Sequence, residues 1–569
     1  MKIALAQQNY HIGNFSANTD KIIAAMHAAR NLGADLVVFS ELSVCGYPPR
    51  DFLEFEDFIN QCYKAIDTIA AEAREIGVIV GGPARNPVKE GKDLFNAAWL
   101  LYDGKVQGVA HKTCLPTYDV FDEYRYFEPA YEWNVLEFKG HRIALTVCED
   151  LWALSENPLY RICPMDQLIQ QSPDLMINIS ASPFDYDHDE DRKEVVRANV
   201  LKYKLPMYYV NCVGSQTEIV FDGGSLVYNA DGELVKEGKY FEEDLIMVDL
   251  NELGAGAQGA SVAQRSLDKE MRVSKIDDPH KIIEYLMSDN NIRQIHQALV
   301  LGIRDYFNKM GFSKAILGSS GGIDSAVTLA LACEALGAEN VRAILMPSQF
   351  STDHSVNDAV ELSRNLGNPY DILPIKPVFD AFMESLAPVF GDLPFSVAEE
   401  NIQSRTRGNL VMAISNKFGY ILLNTSNKSE LATGYGTLYG DMAGGLSVLG
   451  DVYKMQVFAL ARYINREKEI IPVNIITKPP SAELRPGQKD SDSLPEYEVL
   501  DKVLYQYIER RYGPDEIIQL GIDEALVRRV LKLVNTNEYK RNQFCPIIRV
   551  SSKAFGVGRR MPIVGKYLS

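Results

Sequence analysis

Eight consecutive residues near the middle of the chain combine glycines, hydroxyls and one acid in a way that suits a phosphate group. The run is Gly318-Ser319-Ser320-Gly321-Gly322-Ile323-Asp324-Ser325. Glycines let the backbone come close to an anion, and the N–H groups and positive dipole end of a following helix favour negative charge. Asp324 stands where a Walker A loop would carry lysine. An acid beside a phosphate is useful when a divalent cation lies between them, so the run predicts a nucleoside triphosphate held through its phosphates and a metal.

Three residues of the first half have complementary chemistry. Glu41 follows the apolar segment 36–39, Cys148 follows the apolar segment 142–147, and Lys112 lies in a polar stretch between them. A carboxylate can take the proton of a thiol, and an ammonium group lowers a thiol pKa and stabilises an oxyanion. Each residue alone also fits an ordinary core or surface position, and spacing alone does not bring the three together.

The elements that must position these residues alternate between strands and helices. In the first half, apolar runs predict strands, and amphipathic patterns predict helices at 18–32 and 58–75. The predicted strands are 3–6, 36–39, 78–80 (before Gly81 and Gly82), 96–101, 142–147, 175–179 and 207–210. This pattern indicates a layered α/β fold with polar residues at the carboxyl ends of strands, where active sites of such folds tend to lie.

The second half predicts a further α/β unit around the glycine run. Strands are expected at 315–317, 341–348 and 420–424, and helices at 291–310 and 326–333. Asn401 and Arg405 are four residues apart and are expected on one helix face. Residues 424–430 bring hydroxyls, a lysine and an acid after a strand, which suits a polyanion with magnesium but is also typical of a capped helix start.

Composition and length restrict the class of protein. The chain has 569 residues, 46% of them hydrophobic and 24% charged, which predicts a soluble protein of two to four domains. A net charge of −18 argues against nucleic acid as a partner, because phosphate backbones require a basic surface. The eight cysteines form no C-x-x-C pair, and no leader or membrane-spanning run is visible. We therefore expect a cytoplasmic protein with reduced thiols and no membrane partner.

The predicted domain organisation has two parts joined by a linker. The first domain is expected over residues 1–254 and the second over residues 286–569. Residues 255–285 have a weak apolar pattern and many charges, and they begin with a flexible glycine-rich stretch, so they are interpreted as a linker.

The segments around Glu41, Lys112 and Cys148 resemble the Glu-Lys-Cys signature of the nitrilase, or carbon–nitrogen hydrolase, superfamily over about residues 1–250. The resemblance implies an αββα sandwich in which Glu41 is the general base, Lys112 the oxyanion stabiliser and Cys148 the nucleophile. An amide substrate would lose ammonia and leave a thioester on Cys148. Glu123 resembles the second acid of that superfamily, although Asp122 and Glu128 are also available.

Tyr118 and Ser182 match positions where glutaminase members of the superfamily hold L-glutamine. Those members often have lysine or arginine six residues after that serine, whereas this chain has His188, with Arg192 and Lys193 further on. The residue that holds the glutamine carboxylate is therefore left open. Residues 185–193 are equally typical of a solvated charged loop.

The glycine run matches the SGGxDS loop of the N-type ATP pyrophosphatases. Together with segments 399–403, 424–430, 434–441 and 481–486 it resembles the NAD synthetase family over about residues 286–560. That family implies an adenine nucleotide α-hydrolase-like, doubly wound parallel sheet. With a nitrilase-like half in front, the whole chain resembles the glutamine-dependent members of the family.

The resemblance also implies binding roles for single residues. The loop residues Gly318 to Ser325 would hold the ATP phosphates, and Thr425, Lys454 and Ser481 would also lie at ATP. Deamido-NAD+ contacts are implied for Asn401, Glu430, Asp441 and Lys540, and Mg2+ contacts for Asp324 and Glu430.

The implied reaction amidates deamido-NAD+ to NAD+. The nicotinate carboxylate attacks the α-phosphate of ATP, pyrophosphate leaves, and ammonia from glutamine attacks the adenylate to release AMP. Ammonia is mostly protonated at neutral pH, so an internal ammonia tunnel between the two sites would be useful. The family also implies a homo-oligomer, with a dimer through the synthetase domain and larger assemblies in some members.

Two other functions fit parts of the sequence. One is a different amide-forming or thiolating ATP pyrophosphatase, which the Glu-Lys-Cys half and the acidic net charge disfavour. The other is a nitrilase-type hydrolase fused to a non-catalytic nucleotide sensor. The presence of Asp324 and Glu430 disfavours a sensor, because a sensor does not need metal-binding acids.

Overall fold

The computed structural model describes residues 1–154, 159–186, 188–253, 279–481, 483–485, 487–488, 490–492 and 494–568. The chain divides into two compact units, Met1–Arg272 and Val273–Ser569. Most of the predicted linker, 255–278, lies outside the described residues. In its described part, the short helix Ile282–Leu286 begins before residue 285. In the described part of the chain, no helix has the length and apolar character that a membrane crossing requires.

The first unit contains fourteen strands and four helices in its described residues. The strands are β1 (Lys2–Gln7), β2 (Leu36–Phe39), β3 (Gly77–Arg85), β4 (Leu94–Tyr102), β5 (Lys105–His111), β6 (Leu136–Phe138), β7 (His141–Val147), β8 (Leu175–Ser180), β9 (Met207–Asn211), β10 (Val213–Gln216), β11 (Ile219–Asp222), β12 (Leu226–Tyr228), β13 (Leu234–Glu237) and β14 (Asp244–Asp249). The helices are α1 (Phe15–Asn31), α2 (Glu56–Glu72), α3 (Pro164–Leu168) and α4 (His188–Tyr203).

Two six-stranded sheets stack between two helical layers, so the predicted αββα sandwich is confirmed. Their strand orders are β14-β1-β2-β3-β4-β5 and β13-β12-β9-β8-β7-β6, and β10 pairs with β11 separately. Ile3 and Leu5 of β1 lie in the core between the sheets, whereas Ala4 packs toward α1 and α2. Leu145 of β7 faces the same intersheet core, and Ala144 packs toward α3 and α4. Alternate residues thus bury both faces of each strand, which explains the near-continuous apolar runs.

The second unit is a parallel sheet surrounded by helices. Its described strands are β15 (Ala315–Gly318), β16 (Val341–Leu345), β17 (Tyr370–Ile372), β18 (Ile421–Asn424) and β19 (Leu446–Ser447). Its described helices are α5 (Ile282–Leu286), α6 (Asp289–Met310), α7 (Ile323–Leu336), α8 (Asp353–Leu366), α9 (Lys376–Phe390), α10 (Val397–Phe418), α11 (Lys428–Thr433), α12 (Lys454–Ile464), α13 (Val473–Thr477), α14 (Tyr497–Ile508), α15 (Pro514–Gln519), α16 (Glu524–Thr536) and α17 (Glu538–Arg541).

The strand order of this sheet determines where a ligand fits. The order is β17-β16-β15-β18-β19, with every pair parallel, so the predicted doubly wound sheet is confirmed. The order reverses between β15 and β18, and ligands of such sheets bind in the crevice outside the carboxyl ends of the strands at that point. Gly318 ends β15 and Asn424 ends β18. The glycine run and the 424–430 segment therefore begin at the same crevice.

Gly81 lies where β3 passes closely beneath the segment that follows β2. The predicted strand 78–80 ended before this glycine, but β3 continues through it to Arg85. A β-carbon on Gly81 would lie 2.3 Å from the backbone nitrogen of Leu42 and 2.6 Å from the carbonyl oxygen of Ser40. The glycine is thus required by close backbone approach and does not mark a strand end.

Replacing Gly81 by alanine should destabilise the first unit. We expect Gly81→Ala to lower the free energy of unfolding by about 2–3 kcal/mol, because the clash is with backbone and no side-chain rotation relieves it. That loss lowers the unfolding midpoint of this unit by roughly 4–10 °C in calorimetry of the full chain. Gly82→Ala is the matched control, since its β-carbon would meet only the side-chain ends of Val44 and Ile66. Equal midpoints for the two variants would contradict this interpretation of the Gly81 contact.

Candidate functional site

Strand ends of the first unit carry the three residues predicted to be catalytic. Glu41 lies two residues past β2, Lys112 directly follows β5, and Cys148 directly follows β7. The Lys112 ammonium donates to Glu41 Oε1 at 2.7 Å, and both side chains are inaccessible to solvent. Cys148 is buried and has a φ of 44°, in the left-handed region that strains a residue other than glycine. It begins the 3-10 turn Cys148–Trp152, which fixes this conformation at the strand end.

The charges around the Cys148 thiol act on its proton in opposite directions. Burial raises the pKa of the Cys148 thiol well above its ordinary value, the Glu41 charge raises it further, and the Lys112 charge lowers it. Burial opposes the charge of Lys112, but Glu123, Glu41 and Cys148 together raise the pKa of its ammonium well above the usual range. The resting site therefore holds a neutral thiol beside a charged ammonium and a carboxylate.

Glu123 is the second acid beside Lys112. Its Oε1 accepts hydrogen bonds from the Lys112 ammonium at 2.8 Å and from the Tyr47 hydroxyl at 2.8 Å. Burial raises the pKa of Glu123 to about 7, against the opposing effect of Lys112. Glu128, considered for this place from the sequence, instead accepts from the backbone N–H of Lys92. The geometry therefore selects Glu123 from the candidate acids.

Asn96 holds the two carboxylates in place and was not predicted from the sequence. Its side-chain amide donates to Glu41 Oε1 at 2.7 Å and to Glu123 Oε2 at 3.3 Å. The second oxygen of Glu41 accepts from the backbone N–H of Ala181 at 3.0 Å. Asn96 lies in the apolar strand β4 and is fully buried. A polar residue inside a buried apolar strand is the signal that could have found it.

Ser182 and His188 lie together, as expected of two residues that hold one substrate. The Ser182 hydroxyl is 2.9 Å from His188 Nε2, and the Ser182 N–H donates to Asn211 Oδ1 at 2.8 Å. The imidazole of His188 is also stacked on the ring of Trp152, with centroids 5.6 Å apart. These contacts fix the ring at the start of α4.

The charged-loop interpretation of residues 185–193 is wrong from His188 onward, because this stretch forms the first part of α4. Arg192 is 1% exposed and makes two hydrogen bonds to Asp222, at 2.9 and 2.6 Å. Its charge is neutralised inside the fold. Arg192 is therefore less suited than His188 to hold a carboxylate group of a substrate.

Glu149 brings a buried carboxylate directly beside Cys148. The hydroxyl of Tyr118, a predicted substrate contact, lies 3.0 Å from both Glu149 oxygens, and the Tyr160 hydroxyl lies 3.1 Å from Oε1. The next residue, Asp150, accepts backbone N–H bonds from Thr113, Cys114 and Val147 at 2.8–3.0 Å. Asp150 thereby ties the nucleophile turn to the segment that carries Lys112.

The glycine run of the second unit forms an open anion site between β15 and α7. Gly321 has a φ of 78°, and a β-carbon there would lie 2.2 Å from the carbonyl oxygen of Ser355. Gly322 is the N-cap of α7 and supplies no side chain to bond the helix N–H groups. The Ser319 hydroxyl oxygen is buried and has no hydrogen-bond partner among the described residues. Unbonded donors at a helix start and an unsatisfied hydroxyl together fit a phosphate group.

A cavity of about 330 Å³ joins most residues predicted for the ATP site. The predicted residues that line it are Gly318, Ser319, Ser320, Gly322, Ile323, Asp324, Ser325, Thr425, Glu430, Asp441, Lys454 and Ser481. Gly321 shapes the loop without lining the cavity. Apolar residues from the sheet and from α10 line the cavity as well, including Ile344, Met346, Val411 and Leu422. The cavity thus combines a polar, hydroxyl-rich part with an apolar part, as a nucleotide requires.

Asn401 and Lys540 lie outside this cavity and contact the segment 434–437. Asn401 Oδ1 accepts from the Thr437 hydroxyl at 2.8 Å. The Lys540 ammonium donates to the carbonyl oxygens of Gly434 and Gly436 at 2.7 and 2.9 Å. Arg405 donates to the carbonyl of Leu438, so the predicted shared face of Asn401 and Arg405 is confirmed.

Lys454 lies between the two acids predicted to bind metal. Its ammonium is 2.5 Å from Asp324 Oδ2 and 3.5 Å from Glu430 Oε1. Burial and the neighbouring charge of Asp324 raise the pKa of Glu430 to about 8. Asn427 donates to Asp324 Oδ1 at 2.8 Å and also caps α11 in a reciprocal bond with Glu430. The capped helix start expected as an alternative is therefore present, and the cap itself positions the acids.

The donor set fits a magnesium ion that is completed by a ligand. The described residues contain no cluster of three or more histidines, cysteines or acids that could hold a metal alone. Mg2+ is usually bound through one or two carboxylates together with substrate phosphates and water. Asp324 and Glu430 supply two acids beside the phosphate-binding loop, and the pKa of Glu430 is raised by burial and then by the neighbouring charge of Asp324.

Lys428, a third buried lysine, anchors the first turn of α11 through ion pairs. Lys428 is fully buried, and its ammonium lies 2.9 Å from Asp451 Oδ1, 2.9 Å from Glu509 Oε1 and 2.7 Å from the Ser551 hydroxyl. This network joins the helix that carries Glu430 to the end of α14 and to the last part of the chain. Its members are up to 123 residues apart, so sequence patterns do not reveal it.

Comparison with known proteins identifies both units. The carbon-nitrogen hydrolase family model matches residues 2–257, and the NAD synthase family model matches residues 295–544. The glutamine-dependent NAD(+) synthetase of Synechocystis sp. is 44% identical over 99% of this chain and 98% of its own length. That of Thermotoga maritima is 40% identical over 100% of this chain and 99% of its own length.

Two solved structures have the same architecture. The glutamine-dependent NAD+ synthetase of Acinetobacter baumannii, in complex with ADP, is 38% identical and superimposes with a TM-score of 0.74, covering 100% of this chain and 99% of that chain. The glutamine-dependent NAD(+) synthetase of Cytophaga hutchinsonii is 19% identical and supports the fold alone, with a TM-score of 0.80 over 100% and 98% of the two chains. With both catalytic units matched and relatives aligned over almost their whole length, the chain belongs to the glutamine-dependent NAD(+) synthetase family.

Proposed function

We propose that the protein amidates deamido-NAD+ to NAD+ with ATP and ammonia taken from L-glutamine. This proposal rests on two sites in one chain. One is a buried cluster of a thiol, a carboxylate and an ammonium group, and the other is a phosphate-binding loop beside two acids that could bind a metal ion. The first unit can release ammonia from an amide, and the second can activate a carboxylate. Neither chemistry alone requires the other unit.

In the first unit, Cys148 attacks the side-chain amide of glutamine. Because burial holds the thiol protonated, a base must remove its proton, and Glu41 is the carboxylate that acts on it. The Lys112 ammonium stabilises the oxyanion of the tetrahedral intermediate. Ammonia leaves, and water then hydrolyses the thioester to glutamate. Tyr118, Ser182 and His188 hold the rest of glutamine in this proposal.

Glu123 keeps Lys112 positioned and charged. The Lys112 ammonium is shared between Glu41 and Glu123, so it binds Glu41 more weakly than it would in a pair with Glu41 alone. Glu41 can therefore accept the thiol proton. The pKa of Glu123, raised to about 7, lets this acid share that proton near neutral pH. The support for these roles is the set of hydrogen bonds that join the three side chains.

In the second unit, the nicotinate carboxylate oxygen attacks the α-phosphorus of ATP, and pyrophosphate leaves. The ammonia lone pair then attacks the carbonyl carbon of the adenylate, and AMP leaves. We assign the ATP phosphates to the loop Gly318 to Ser325 with Thr425, Lys454 and Ser481. Deamido-NAD+ is assigned to Asn401, Glu430, Asp441 and Lys540, of which Asn401 and Lys540 would act from the segment that they brace.

Asp324 and Glu430 would hold Mg2+ together with the phosphates. A bound magnesium ion neutralises the charge that develops on the phosphates. The chain's own contribution is to keep these two acids adjacent through Lys454 and the α11 cap. Two acids adjacent to each other at the phosphate-binding loop are the feature that supports a divalent cation.

We also propose that the protein is a homo-oligomer that pairs through its second unit. Helix α9, the segment that follows it and the first residue of α10 expose six apolar side chains: Val378, Phe382, Val389, Leu393, Phe395 and Val397. Contiguous exposed apolar surface is typical of protein interfaces. A second copy of this chain is the occupant that the family implies.

A reducing, cytoplasmic location agrees with the thiol chemistry. The eight cysteines all lie in the described residues, and none of them forms a disulfide there. Disulfides persist mainly in oxidising compartments, and a thiol nucleophile needs a reducing one.

Removing the nucleophile should separate the two activities. We expect Cys148→Ala to lower glutamine-dependent NAD+ formation by at least about a thousandfold, since no other group replaces the attacking sulfur. Formation of NAD+ from ammonium salts should stay within about twofold of the unchanged protein, because the two sites act independently. Both rates are measured by following NAD+ and AMP with deamido-NAD+, ATP and Mg2+ supplied.

Cys163→Ala is the matched control, because Cys163 is a partly buried cysteine that contacts the Tyr203 hydroxyl in the first unit. It should keep both activities. Loss of ammonium-dependent activity in Cys148→Ala would contradict the two-site assignment. Release of ADP in place of AMP would contradict adenylation itself.

Neutralising one of the proposed metal ligands should raise the need for magnesium. We expect Glu430→Gln to increase the Mg2+ concentration for half-maximal ammonium-dependent activity by at least about tenfold, because an amide is a weaker ligand than a carboxylate. The measurement is a Mg2+ titration at saturating substrates. Glu384→Gln, on the exposed side of α9, is the isosteric control. An unchanged Mg2+ requirement in Glu430→Gln would remove this residue from the metal site.

Charge placed on the α9 surface should weaken self-association. We expect the double substitution Phe382→Asp and Val389→Asp to shift the mass measured by light scattering toward that of one chain, since buried carboxylates without partners oppose an apolar interface. Val235→Asp, on an exposed strand of the first unit, is the control. A mass that is the same before and after the double substitution would place the interface elsewhere.

A further inference from the structure

Arg407 is a half-buried cation in the ATP cavity for which the assignments above give no role. It lies on α10, lines the cavity, and donates through Nε to the carbonyl oxygen of Met346 at 3.0 Å. Within the described residues, its guanidinium makes no ion pair, although the charges of Asp441 and Glu483 act on it from a distance. Burial lowers the pKa of Arg407 to about 10.

A guanidinium that is partly removed from water lowers the stability of the fold unless an anion pairs with it. Buried charges are normally paired, and a guanidinium has five N–H donors, of which the carbonyl of Met346 accepts only one. Because the group stays protonated at neutral pH and lines the cavity, its remaining donors can act as a charged fork for a ligand bound there. Phosphate and carboxylate oxygens are the partners that such a fork binds best.

The neighbours of Arg407 place it between the two substrate regions of the cavity. Met346, which accepts its hydrogen bond, lies against Gly318 at the start of the phosphate loop. Gly408, the next residue on α10, approaches the carbonyl of Gly440, beside Asp441. One side of Arg407 thus borders the ATP loop, and the other borders the segment assigned to deamido-NAD+.

We propose that Arg407 is a catalytic residue that contacts the α-phosphoryl group of ATP while it is attacked. This inference rests on the proposed function. In the step, the nicotinate carboxylate oxygen forms a bond to the α-phosphorus, and the bond from that phosphorus to the oxygen bridging to the β-phosphorus breaks. Pyrophosphate leaves with the electron pair. The guanidinium brings the two anionic reactants together and stabilises the non-bridging oxygens at the reacting phosphorus.

The neighbouring Arg405 does not compete for this role. It is exposed on α10, and its Nε donates to the carbonyl of Leu438. It does not line the cavity. The two arginines are two positions apart, so a helix turns them to different faces.

The test measures adenylation without glutamine or ammonia. Exchange of labelled pyrophosphate into ATP, dependent on deamido-NAD+, reports the step that Arg407 is proposed to catalyse. We expect Arg407→Gln to lower the kcat of exchange by about 100- to 1,000-fold, with the KM for ATP changed by less than about threefold. Arg407→Lys should recover part of the rate, because it keeps the charge but loses the fork.

Two controls make the result decisive. The unfolding transition of the second unit in calorimetry of the same variants reports that this unit is folded, and Lys417→Gln removes an exposed cation from the far end of α10. An Arg407→Gln protein with exchange kcat within about threefold of the unchanged protein, or with its loss confined to KM, would overturn the proposal. Absence of exchange in the unchanged protein would contradict the proposed function and not the role of Arg407.

Discussion

A buried lysine held between two carboxylates is the interaction on which both sites of this protein depend. Among the described residues the arrangement occurs three times, around Lys112 in the first unit and around Lys454 and Lys428 in the second. Each ammonium is nearly or fully inaccessible to solvent. A lysine alone would be unstable there, because removal of both acids would leave an uncompensated buried charge. Each cluster has one more acid than it has lysines.

The role of the second acid differs with what surrounds each cluster. Around Lys112 the acids lie beside a thiol, and Glu41 is the proposed proton acceptor. Around Lys454 the acids lie at the open start of α7 and line a cavity, where the proposed divalent cation and phosphates would bind them. Around Lys428 hydroxyls such as that of Ser551 satisfy the remaining oxygens, so the same motif becomes purely structural. The same lysine–acid arrangement thus has a proposed catalytic role, a proposed metal-binding role and a structural role, depending on the groups around it.

The sequence predicted the features whose signals are local. Short-range patterns predicted the strand ends that carry Glu41 and Cys148 and the glycine run before α7. The structure has a strand before each of these residues and a helix after the glycine run. Contacts across long separations were not predictable. Asn96 meets a carboxylate 55 positions away, and nothing near it in the chain marks that partner. The many charges at the start of α4 are typical of a solvated loop. In the structure Arg192 is instead buried, and it pairs with Asp222, which is 30 residues later in the chain.

Each unit contains a contact between an early segment and one that is synthesised late. In the first unit β1 pairs along its whole length with β14, which ends at Asp249. In the second unit the helix behind the ATP site depends on Ser551. At 5–20 residues per second, a ribosome needs roughly 15–60 s to travel between these two points. For most of that interval a nascent chain has every residue of its first unit, Met1–Arg272, and lacks part of the second. Ammonia released by the first unit during that time would have no second site to consume it.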